Sequence, residues 1–133
     1  MADINLRFGI YTEDEAEDME LLSRKLPQVG LNSMHRKGEK SNLSNYYKES
    51  SIGYVYPFAS ITSLEEVNDY FVQQWKEYQT VLKKLLDGVY EAYLLYEFDM
   101  DNSDVFPAMI YEVKFLKFLA DTGIELQLYY YPM

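Results

Sequence analysis

Apolar and polar residues alternate along three segments of the chain, which is the pattern of strands that bury only one face. In the first segment, Ile4, Leu6, Phe8 and Ile10 occupy every second position. A fourth segment is a short run of apolar and aromatic residues that a proline interrupts. The predicted strands are 4–11, 54–58, 91–98 and 124–131.

The longest predicted helix, 64–87, carries apolar residues three or four positions apart. It opens with a capping box of Ser63 and Glu66 and closes at Gly88. Its apolar stripe consists of Leu64, Val67, Phe71, Trp75, Tyr78, Leu82 and Leu85. A coiled-coil seam needs the same stripe, but strands on both sides of it favour a helix that lies across a sheet.

Two shorter segments also have helical spacing. The first, 13–26, follows a capping box of Thr12 and Glu15 and ends at Pro27. The second begins near Val113 and ends at Thr122-Gly123. With a short strand after Val29-Gly30-Leu31, the predicted order of elements is β-α-β-β-α-β-α-β.

The order of elements defines the fold class as α+β. We predict a mixed, mainly antiparallel sheet of about five strands with two to three helices packed on one face. This arrangement is a sandwich related to the ferredoxin-like fold. Because no linker or internal repeat divides the chain, residues 1–133 are predicted to be one domain.

Composition narrows the class of protein. The net charge is −10, from 22 acidic against 12 basic residues, and such a field attracts basic partners and repels nucleic acid and anionic membranes. The absence of cysteine fits a reducing compartment. No apolar run approaches the roughly 20 residues of a membrane span, and a signal-peptide pattern is missing. We therefore expect a cytoplasmic protein that binds neither nucleic acid nor membrane.

Candidate catalytic and metal-binding residues are few. The only histidine, His35, precedes two basic residues whose charges make it a poor base and a poor metal ligand, so it is interpreted as a solvated turn residue. Segment 99–104 starts like a calcium loop but has Asp104 where glycine is needed and Ile110 where a bidentate glutamate is needed. No metal, cofactor or catalytic residue is predicted.

The sharpest charge feature is the segment 13–20, in which six of eight residues are acidic. On a helix, Glu13 and Glu17 would repel each other, as would Asp14 and Asp18, and repulsion that is tolerated favours a use in binding. With the 14 tyrosines as contact residues, the sequence predicts a non-enzymatic module that binds a basic protein. The predicted partner-binding residues are Glu13, Asp14, Glu17, Asp18 and Glu20.

A basic turn provides an alternative function. Arg36 and Lys37 precede Gly38, and this combination predicts a site for a small molecule or a phosphate in a regulatory protein. An enzyme of unrecognised type is the third and least favoured alternative.

The motifs between residues 26 and 39 resemble a bacterial family known as domain of unknown function 4279. They are Leu26, then Val29-Gly30-Leu31, then Arg36-Lys37-Gly38-Glu39. The chain departs from the family pattern at Tyr54, where tryptophan is expected, and at Gln127, where aspartate is frequent. The resemblance implies the same α+β fold and a small bacterial protein, and it suggests an immunity partner of a secreted toxin.

Overall fold

A computed structural model describes residues 2–14, 17–41, 45–100 and 106–132 of the chain. The strands are β1 (Ala2–Thr12), β2 (Leu31–His35), β3 (Ser50–Ile61), β4 (Glu91–Met100) and β5 (Glu125–Pro132). The helices are α1 (Met19–Arg24), α2 (Glu65–Trp75), α3 (Gln79–Leu86) and α4 (Val113–Thr122), and a 3-10 turn, Lys76–Tyr78, joins α2 to α3.

The strands form one sheet in the order β2-β3-β1-β4-β5. All neighbours are antiparallel except β4 and β5, which are parallel because α4 carries the chain back to the starting edge of β4. The predicted α+β class and the mainly antiparallel sheet are therefore confirmed.

The core lies between the sheet and the helices and is rich in aromatic rings. Trp75 is fully buried and packs edge-on against Phe8 of β1, with ring centroids 4.7 Å apart, and against Tyr54 of β3, at 4.8 Å. Phe71 is equally buried, while Tyr78 is only half-buried. The stripe of the long helix thus faces the sheet, and the coiled-coil alternative is wrong.

The predicted helix 13–26 is much shorter in the structure, since α1 begins only at Met19. Thr12 does not cap a helix, because its backbone still pairs with Ser50 at the end of β1. The chain must leave the sheet before it can turn, and Asp18 then caps α1 by accepting a hydrogen bond from the Leu21 amide at 3.1 Å.

The predicted helix 64–87 is interrupted once. The 3-10 turn at Lys76–Tyr78 tightens the winding between α2 and α3, and Leu82 of α3 still points into the core. At its start, Ser63 accepts a hydrogen bond from the Glu65 amide at 3.2 Å, and Leu64 occupies the cap position.

Candidate functional site

The helices cover one face of the sheet and leave the other face uncovered by any described helix. Strand alternation and the pairing register define which side chains lie on this second face, which we call the open face. Its residues are Asp3, Asn5, Arg7, Gly9 and Tyr11 of β1, Ser33 and His35 of β2, Ser51, Gly53, Val55 and Pro57 of β3, Glu91, Tyr93, Leu95, Glu97 and Asp99 of β4, and Glu125, Gln127 and Tyr129 of β5.

The open face is strongly acidic. It carries the five carboxylates of Asp3, Glu91, Glu97, Asp99 and Glu125. Among the described residues of this face, Arg7 is the one arginine or lysine, and its Nε donates to Glu97 at 3.1 Å. Asp3 and Asp99 are direct partners across β1 and β4, an arrangement of like charges that destabilises a sheet. Since one carboxylate is neutralised by Arg7, the face keeps a surplus of negative charge.

Aromatic rings lie among these carboxylates. The half-buried rings of Tyr11 and Tyr93 have centroids 6.1 Å apart, and the Tyr93 ring lies over Gly9, where the absence of a side chain leaves it room. Burial, and after it a hydrogen bond with Glu91, raises the pKa of the Tyr11 phenol. Tyr129 is 52% exposed on β5. The open face therefore offers neutral aromatic contact area beside carboxylates.

The predicted partner-binding acids do not form one helical patch. Glu13, Asp18 and Glu20 are exposed, whereas Asp14 and Glu17 are half-buried. The predicted repulsion of Glu13 with Glu17 and of Asp14 with Asp18 along a helix is wrong, because these residues precede α1.

Two of these acidic residues have structural contacts of their own. Glu17 accepts a hydrogen bond from the Tyr90 hydroxyl at 2.9 Å, and burial, followed by Glu17, raises the pKa of Tyr90. Asp18 both caps α1 and lies 3.8 Å from the Arg36 guanidinium. We conclude that part of the acidic segment stabilises the fold.

The basic turn of the alternative function lies against the acidic segment. Besides the contact of Arg36 with Asp18, the Lys37 ammonium donates to the Glu13 carbonyl at 3.1 Å. The Lys37 amide donates to the Ser50 hydroxyl and the Gly38 amide to the Tyr47 carbonyl. Because the amides of Lys37 and Gly38 already have acceptors within the protein, the described contacts do not form a cradle for an anion.

His35 is not a solvated turn residue, so that interpretation was wrong. It is the last residue of β2, is half-buried, and stacks on Tyr47 with ring centroids 3.6 Å apart. Burial lowers its pKa. The Ser51 hydroxyl lies 2.9 Å from Nε2 and 3.4 Å from Nδ1, so it sits beside the ring and not along the lone pair of either nitrogen. This geometry does not make a nucleophile and base pair.

Neither a cluster of metal-ligating residues nor a membrane-spanning helix is found among the described residues. Within the described ranges, no group of three or more histidines or acids is arranged to hold a metal ion. Most of the calcium-like segment 99–104 lies outside the described residues. Among the helices of the described part of the chain, none is long and apolar enough to cross a membrane.

Sequence reasoning did not identify the open face as a site. Its signal was present in the polar positions of the alternating strands, such as Glu91, Tyr93 and Glu97, but the side that the helices cover is decided by long-range packing.

Comparisons with protein-family models, curated proteins and solved structures found no match to this chain.

Proposed function

We propose that this chain is a non-enzymatic protein-binding module that presents the open face of its sheet to a basic protein. The observation that carries the proposal is the combination, on one uncovered face, of half-buried tyrosines with carboxylates in excess. Interfaces are enriched in tyrosine at their desolvated centre, and charges at the rim steer the encounter.

The open face has the layout that such an interface needs. Tyr93 and the half-buried Leu95 lie on the central part of β4, and the exposed Glu91 and Glu125 lie at one end of β4 and β5. Arg7 is already paired with Glu97, so an incoming lysine or arginine would meet carboxylates and ring faces. A partner with a basic patch around an apolar centre fits this surface.

A second copy of the chain fits it less well. A symmetric dimer through the open face would place Glu91 and Glu125 of one copy against the acidic face of the other. Like charges brought together in such an interface cost several kcal/mol. The surplus of negative charge therefore favours a different, basic protein over self-association.

A basic toxin, such as a nuclease, is one partner of this chemistry, and the resemblance to domain of unknown function 4279 supports an immunity-type role in the cytoplasm. That family membership remains a prediction. The anion-binding function through Arg36, Lys37 and Gly38 remains an alternative, which the described contacts of the turn do not support. An enzyme remains the third alternative.

Affinity capture from the source cell with matched variants tests the proposal. The open-face variant is Glu91→Gln/Glu125→Gln, and its control is Glu65→Gln/Glu77→Gln, which removes the same charge from exposed positions in the helical layer. We expect the wild type and the control to retain the same basic protein at low salt and the open-face variant to retain much less of it.

Two outcomes would contradict the proposal. One is an equal loss of the captured protein with both variants, which would mean that net charge alone governs binding. The other is capture of a partner with an acidic surface. A Tyr93→Ala variant adds a second test, because loss of a desolvated anchor should raise the dissociation rate.

A further inference from the structure

The helical layer, on the side of the sheet away from the open face, contains a groove. Helix α3 packs against α4 and β4, and α1 packs against β3, so the two helices leave a gap between them. The gap is a groove of about 600 Å³. Proteins bind small organic molecules in cavities of roughly 300–1,000 Å³.

Aliphatic side chains provide much of the groove lining. Leu22 of α1 belongs to the core, and the partly buried Leu85 of α3 packs against that core. Val81 of α3 and Val89 of the following turn are 36% and 51% exposed. Removal of such aliphatic side chains from water is favourable, and here they line a concave surface of the right size for a ligand.

Two lysines flank this apolar lining. Lys25 ends α1 and Lys84 lies in the last turn of α3, so the carbonyl ends of both helices meet at the groove. The ion pairs found among the described residues, Arg7–Glu97 and Arg36–Asp18, include neither lysine. The dipole of each helix accounts for a cation at its end, but it does not require an uncovered apolar strip between the two.

Among the described residues of the lining, one is acidic, Glu17, and it lies beside Tyr90. Its carboxylate accepts the hydrogen bond of the Tyr90 hydroxyl at 2.9 Å, and Tyr90 itself is buried. The two lysines of the lining outnumber this described carboxylate. In a protein of net charge −10, the groove is thus a place where negative charge does not dominate.

We propose that the groove between α1 and α3 binds a small amphipathic organic anion, with its apolar body on Leu22, Val81 and Val89 and its carboxylate or sulfonate near Lys25 and Lys84. A bare phosphate would leave the apolar lining wet, and a neutral apolar molecule would leave both lysines without a partner. This site goes beyond the proposed protein-binding function and does not depend on it.

Titration with 8-anilino-1-naphthalenesulfonate, followed by its fluorescence, tests the proposal on the native protein. We expect saturable binding at one site and displacement by decanoate but not by inorganic phosphate. In Lys25→Glu/Lys84→Glu the affinity should fall by about tenfold, because two attractions of modest strength become repulsions. The control Lys76→Glu/Lys83→Glu makes the same change of net charge outside the groove lining and should alter affinity less than about twofold.

Near-UV circular dichroism must show that each variant keeps its native packing, because partly folded proteins also bind this dye. Val89→Asp, at a half-exposed position, supplies a second variant that should weaken binding without unfolding the protein. Absence of saturable binding to the wild type would overturn the proposal. Equal weakening by the groove variant and its charge control, or displacement by phosphate, would overturn it as well.

Discussion

Removal of the Trp75 indole is expected to destabilise the fold by about 4 kcal/mol, within the range measured for buried aromatic residues replaced by alanine. The ring is fully buried and is in contact with aromatic neighbours on several sides. Its centroid lies 4.7 Å from that of Phe8, 4.8 Å from Tyr54 and 6.2 Å from Phe71. Because these rings belong to two strands and a helix, they cannot all collapse into the space that Trp75→Ala leaves.

The indole of Trp75 also makes a hydrogen bond, so the stability lost in Trp75→Ala can be divided between the ring and this bond. Its N–H donates to the Tyr56 hydroxyl at 3.0 Å, and that hydroxyl donates in turn to the Val29 carbonyl at 3.2 Å. Trp75→Phe keeps a six-membered ring and loses the bond, so it should cost about 2 kcal/mol, from the missing bond together with the lost ring volume.

Urea denaturation followed by far-UV circular dichroism measures both variants. Tryptophan fluorescence is unsuitable, because Trp75 is the one tryptophan of the chain. A loss below about 1 kcal/mol in Trp75→Ala would show that the site is not the packed core described above. A Trp75→Phe variant as unstable as Trp75→Ala would refute the division into ring and hydrogen bond.

Four further predictions concern backbone strain, pH and ring stacking, and each is checked by chemical denaturation. Gly30→Ala should cost about 3 kcal/mol of stability and Gly38→Ala about 1 kcal/mol. Both glycines have positive φ, but a side chain at Gly30 would meet the buried ring of Tyr56, whereas the space at Gly38 is open. Equal losses of stability in the two variants would contradict this. Burial raises the pKa of Tyr56 to about 12, so the fold should lose stability as pH rises from about 10 towards 12, and Tyr56→Phe should lose less over that interval. Burial lowers the pKa of His35, so the stability of the fold should fall as pH drops below 6.5. Stability that does not change with pH in this range would contradict the lowered pKa. His35→Ala should also cost about 1 kcal/mol at pH 8 through the lost stacking on Tyr47.

The strands were predictable from the sequence because a sheet buried on one face imposes a period of two on its residues. β4 shows this period without interruption, and β1 departs from it at Gly9, which the Tyr93 ring covers. β3 begins at Ser50, four residues before the predicted start, because its first residues pair with Tyr11 and Thr12 at the end of β1. Such pairing depends on a distant segment and leaves little trace in local composition.

The errors of the sequence analysis have the same origin. A Thr-x-x-Glu motif and a run of acidic residues favour a helix locally. Thr12 nevertheless belongs to the sheet, and the helix begins only after its cap residue Asp18. His35 is next to basic residues in the sequence, whereas its actual neighbours are Ser51 on the adjacent strand β3 and Tyr47 in the segment that precedes β3. The open face required knowledge of which side the helices cover.

Association kinetics with the captured partner at two ionic strengths show whether the open face binds a basic protein. Association with the wild type should slow as added salt shortens the Debye length below about 10 Å. Glu91→Gln/Glu125→Gln should associate more slowly than Glu65→Gln/Glu77→Gln at low salt, and the difference should vanish at high salt. Association that is independent of salt, or equal for the two variants, would contradict the account.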